Sequence, residues 1–126
     1  MAVEVQAISL PNDAVKFVKV WWRVYETDDQ WVPPLIAERK TFFNPAKNPY
    51  FDVADVQCFI AYKDGEAVGT IGVSHDRDLE ATMPGYGSFG FFEFTNDEEV
   101  AQALLDAGAA WLRNRGLQRM VGPFNF

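Results

Sequence analysis

The chain has 126 residues, 48% of them hydrophobic and 15% aromatic, which is enough for one well-filled domain (1–126) and too short for two. A charged fraction of 23% excludes a low-complexity or disordered chain. The net charge of −7 and pI of about 4.5 argue against nucleic acid and anionic membrane surfaces as partners, because both call for a cationic surface.

The first ten residues, MAVEVQAISL, lack a basic segment and a long apolar core, so no signal peptide is expected. Val3, Val5 and Ala7 alternate with Glu4 and Gln6, the pattern of a short half-buried strand. Pro11, Asn12 and Asp13 form a helix start. From Ala14 to Tyr25 an apolar stripe recurs at helical spacing, with Lys16, Lys19 and Arg23 on the opposite side. Trp31-Val32-Pro33-Pro34-Leu35 cannot lie within a helix, since Pro34 disfavours α geometry at Pro33. Helical propensity resumes over Leu35 to Phe43. Two Asn-Pro dipeptides then make Asn44 to Phe51 a loop.

Asp55 to Tyr62 and Ala67 to Ser74 read as strands joined by Lys63-Asp64-Gly65-Glu66, a hairpin turn. Cys58 lies inside the apolar run VQCFIAY and reads as a buried thiol. As a lone cysteine it excludes an internal disulfide and a cysteine-cluster metal site. His75 to Gly85 reads as a charged, solvated loop. A strand follows from about Gly87 to Thr95. Thr95 or Asn96 caps a helix whose first turn holds Asp97, Glu98 and Glu99, acids that complement the helix dipole. Val100, Leu104, Gly108 and Trp111 form its buried stripe, and Gly116 ends it. Leu117 to Val121 is the last strand, parallel to the one before the helix because a crossover helix joins them. No apolar run approaches ~18 residues, so no membrane-spanning helix is expected, and a cytoplasmic protein is the simplest reading.

The order β-α-α-β-β-β-α-β, a mostly antiparallel α/β sheet closed by a parallel crossover, resembles the first half of the GNAT-type acyl-CoA N-acyltransferase fold. The strings DDQWVPPLIAE, NPAKNPYF, FIAYKDGEAVGTIGV, FGFFEF, GAAWLRNRG and VGPFNF also resemble the N-terminal region of a poorly characterised bacterial group of GNAT-like proteins. Members of that group continue well past the Gly-Pro-x-Asn-Phe string, so the resemblance implies a half-domain. It also implies a backbone cradle for the coenzyme A pyrophosphate, built on Arg/Gln-x-x-Gly-x-Gly/Ala at the start of the crossover helix. Phe94 to Ala101 stands there instead, without a glycine and with three consecutive carboxylates. No cofactor is therefore expected of this chain, and a dimerising or ligand-binding module is the leading expectation. Acetyl-CoA-dependent acylation of a small amine, or a truncated part of such an enzyme, is the alternative.

Glu93 is the candidate catalytic base. It is a carboxylate in an apolar strand, where desolvation raises basicity, and its bland role is pairing with a cation such as Arg119. Tyr86 is a weaker candidate acid within a Pro-Gly-Tyr-Gly turn. His75 is the lone histidine and lacks partners at metal-ligand spacing. The aromatic excess and the apolar end from Leu117 to Phe126 suggest a homodimer, with room for a small-molecule ligand.

Overall fold

The computed structural model describes residues 2–126. The elements run β1 (Val3–Ile8), α1 (Ala14–Val24), α2 (Ile36–Phe42), α3 (Tyr50–Val53) and β2 (Ala54–Lys63). They continue with β3 (Glu66–Asp76), α4 (Arg77–Thr82), β4 (Tyr86–Phe94), α5 (Glu98–Asn114) and β5 (Arg119–Val121). The strands lie in one sheet in chain order, antiparallel except for the parallel pair β4 and β5. This is the expected mixed α/β architecture.

Period-two alternation in β2 divides the core into two layers. Cys58 and Ile60 face α1, where they pack with Phe17, Val18, Trp21 and Phe43. Phe59 and Ala61 face α5, with Val73, Val100, Leu104 and Leu112. Burial among these apolar side chains pushes the Cys58 thiol up to about 12, so it is inert packing rather than a nucleophile. The β2–β3 turn places Asp64 at φ 55° and Gly65 at φ +79°, the two left-handed positions that an Asp-Gly hairpin needs.

Four local expectations change. Residues 77–82 form α4, because the Asp76 carboxylate accepts from the N–H groups of Asp78 and Leu79 and so caps a turn. His75 is accordingly not a solvated loop residue. It is the penultimate residue of β3, with its side chain 17% exposed, and Arg115 Nε donates to Nδ1 at 3.1 Å. That bond leaves the ring proton on Nε2, which donates to Glu80 Oε1 at 2.6 Å. Tyr50 to Val53 forms a short helix at the end of the expected loop, started by Asn48, whose Oδ1 accepts from the Tyr50 N–H. The cap of α5 is Asp97 rather than Thr95 or Asn96, and β5 pairs over three residues only.

The feature that positions the site is a bulge in β4. Thr70 pairs with Glu93 and Gly72 with Gly90, so Ile71 alone stands opposite Phe91 and Phe92. Phe91 sits at φ 47°, a left-handed conformation costly for a bulky residue, on the order of 1–3 kcal/mol. Bonds on both sides hold it there. Its carbonyl accepts from Thr70 Oγ1 at 2.7 Å, and Thr70 Oγ1 in turn accepts from Trp21 Nε1 at 3.0 Å. Its N–H donates to Asn125 Oδ1 at 2.8 Å.

Candidate functional site

The bulge turns Phe91 into the α1 layer, where its ring stacks on Trp21 at 5.9 Å and 7°. Two residues further, Glu93 faces the same side and lines a cavity of about 210 Å³. Trp21 of α1 and Tyr25, the residue that caps its C-terminus, lie one helical turn apart and form one wall. Trp31 and Pro34 come from the irregular loop between α1 and α2, and Trp31 stacks on Tyr25 at 5.2 Å. Arg39 and Asn125 complete the lining. This loop cannot be helical because of its two prolines, which is how Trp31 comes to lie over the end of α1.

The chemistry centres on two oxygens. Tyr25 donates its hydroxyl to Glu93 Oε1 in a short hydrogen bond. That bond, burial, and the negative charges of Glu93 and Asp28 push the Tyr25 phenol up to about 12. The Tyr25 proton is therefore fixed at neutral pH, and Oε1 is occupied as an acceptor. Glu93 Oε2 has no hydrogen-bond partner among the described residues. The positive charge of Arg39 is already matched by Glu38, which takes both its Nε and Nη2 at 2.7 and 2.6 Å. The guanidinium also lies 4.2 Å over the Phe42 ring. The result is an aromatic box with one carboxylate oxygen free for a cation.

A raised phenol pKa favours the folded state wherever Tyr25 is protonated. The contribution is fully present below the ordinary value of 10.0 and is lost as pH rises through about 12. Tyr25→Phe is expected to lower stability at neutral pH and to remove the latest tyrosine step from an alkaline absorbance titration. An unchanged titration curve would contradict this assignment.

The other sequence candidates lie elsewhere. Glu93 pairs with Tyr25 and not with Arg119, whose Nη1 lies 3.5 Å from the Tyr86 hydroxyl. Tyr86 opens β4 and Glu93 lies near its other end, so the strand holds them far apart. His75 belongs to a separate polar cluster in which Arg115 also bonds Asp55. Tyr25 and Asn125 were not legible as site residues. A tyrosine on an apolar helical stripe reads as core, and Asn125 gains its place only through the bulge.

The start of α5 does not fit a pyrophosphate. Asp97 Oδ1 takes the Glu99 N–H at 3.0 Å, one of the amides an anion would use. Lys63 Nζ, the cation that reaches this end, lies 2.7 Å from Asp97 Oδ2 and 3.6 Å from Glu99 Oε1. The Glu99 amide and the Lys63 charge are thus already engaged, and the acids Asp97, Glu98 and Glu99 leave this turn net negative.

A solved aminoglycoside acetyltransferase from an uncultured soil metagenomic sample, in complex with sisomicin, superposes with a TM-score of 0.65 at 13% identity. It covers 98% of this chain and 78% of that one. The chain has the GNAT acyl-CoA N-acyltransferase fold. A relative in sequence is "Bacterial ceramide synthase" of Caulobacter vibrioides, 35% identical over 120 residues, which is 94% of this chain and 31% of that protein. "Protein YghO" of Escherichia coli is 35% identical over 115 residues, 90% of this chain and 29% of that protein. The chain thus spans about a third of the length of the curated relatives it matches. No protein-family model matches it. Among the described residues, no helix is long and apolar enough to cross a membrane, and no group of three or more His, Cys, Asp or Glu could hold a metal ion.

Proposed function

We propose that this GNAT-fold chain is an amine-binding module, with Glu93 Oε2 receiving the ammonium of a small ligand inside the aromatic box. The observation that carries the reading is the Tyr25–Glu93 pair, which orients one carboxylate oxygen into a cavity walled by Trp21, Trp31 and Phe91. Carboxylate plus aromatic faces suits a cation and disfavours an anion. The acidic start of α5 argues in the same direction, against coenzyme A at that turn. Calorimetric titration with butylamine tests the reading. Saturable binding is expected, and the absence of heat from a folded sample would refute it.

A second reading is that the module serves N-acyl transfer, with Glu93 as general base. Glu93 would take the ammonium proton to give the free amine, while an acyl donor such as acetyl-CoA is held by another surface. The name of the sequence relative "Bacterial ceramide synthase" supports this reading, and the GNAT acetyltransferase fold is compatible with it. Retention of acyl transfer by Glu93→Gln in a protein that transfers acyl groups would exclude it.

The proposal includes a homodimer. The outer edge of β5 and the half-exposed Phe124 are the surface available, although Phe126 turns inward against Tyr50 at 4.6 Å. Sedimentation equilibrium is expected to give about twice the monomer mass of 14.2 kDa. A monomer mass at all concentrations would remove this element and leave the amine site untouched.

A further inference from the structure

Asn125 is held in one orientation by physics rather than by choice. The Phe91 main-chain N–H can only donate, so the side-chain atom 2.8 Å from it is the amide oxygen. The amide nitrogen Nδ2 is therefore the atom that this bond leaves free. Asn125 lines the same cavity as Glu93 and Tyr25, and its exposed side chain leaves the two Nδ2 hydrogens to solvent, without a partner among the described residues. Thr70 holds the Phe91 carbonyl and Trp21 holds Thr70, so the bulge that anchors Asn125 is itself braced.

We propose that Asn125 is a specificity-determining residue and that the cavity selects amines carrying a hydrogen-bond-accepting oxygen near the nitrogen. This class comprises amino alcohols and their ethers. The inference rests on the amine reading above and adds a second point of contact to it. The ammonium is received by Glu93 Oε2, and the ligand oxygen accepts from Asn125 Nδ2. An amino acid does not fit as well, because its carboxylate would meet the negative field of Glu93 and Asp28, while the charge of Arg39 is matched by Glu38. A plain alkylamine fills the box but leaves the Nδ2 donors without the partner that the bound geometry offers.

The test compares methoxyethylamine with butylamine, which differ by an oxygen in place of a methylene. An ether oxygen accepts and cannot donate, so its recognition requires a donor. Asn125→Asp keeps an oxygen for the Phe91 N–H and so keeps the chain end docked, but it has no N–H to offer. The ratio of methoxyethylamine to butylamine affinity is expected to fall about tenfold in Asn125→Asp, with the melting temperature preserved. An unchanged ratio in a folded Asn125→Asp protein overturns the assignment of Asn125 and leaves the amine reading standing. Failure of butylamine itself to bind the natural sequence overturns the amine reading and this inference together.

Discussion

Replacing Glu93 with Gln is expected to weaken butylamine binding by roughly 10- to 100-fold, the range of a lost charge-assisted hydrogen bond. The substitution keeps the size of the side chain and keeps an oxygen for the Tyr25 hydroxyl, so the fold should survive. It also removes the Glu93 charge that adds to the raised Tyr25 phenol, and it turns the hydrogen bond that is the leading cause from one to a carboxylate into a weaker one to an amide oxygen. The Tyr25 ionisation should then fall from about 12 back toward the ordinary 10.0. The two readouts check each other. Loss of binding with the Tyr25 shift places the amine at this carboxylate. Unchanged binding together with the shift would show that the variant is folded and that the amine sits elsewhere.

Gly90→Ala is expected to undock residues 122–126 and to cost about 3 kcal/mol. A Cβ at Gly90 would lie 1.8 Å from the Phe124 carbonyl oxygen, an overlap that no side-chain movement relieves because both sides are backbone. Gly122 is hemmed in the same way, 2.3 Å from the Phe89 carbonyl. What is lost on undocking sets the magnitude. Phe126 leaves its stacks on Tyr50 and Phe42, worth roughly 2 kcal/mol, and the Phe91 N–H loses Asn125, worth about 1 kcal/mol. A fall in melting temperature of roughly 10 °C should result, with new proteolytic cleavage after Val121. A melting temperature equal to that of the natural sequence would show that this segment does not pack as described.

The fold was legible because its long elements obey simple periods. Alternation in β2 and β3, the Asp-Gly turn and the α5 stripe ending at Gly116 all point to one arrangement. α3 and α4 were not legible, because four and six residues are too few to show a helical period. Their signal was in the side chains of Asn48 and Asp76, which accept from first-turn amides but read equally well as turn residues. Glu93 stood out because a carboxylate among phenylalanines conflicts with an apolar strand. Its partner did not, since Tyr25 lies 68 residues away and its hydroxyl breaks no pattern. Asn125 depends on the β4 bulge, and a bulge changes register without leaving a mark in the apolar pattern of FGFFEF.

The measurement that bears most directly on an amine site built on Glu93 is an amide nitrogen–proton NMR titration of the chain with butylamine. Shifts are expected at the Trp21 and Trp31 indoles and at the main-chain amides of Phe91 and Glu93, with acetyl-CoA producing none at residues 95–101. Amine-induced shifts confined to other parts of the molecule, or saturable acetyl-CoA shifts at the start of α5, would contradict the account.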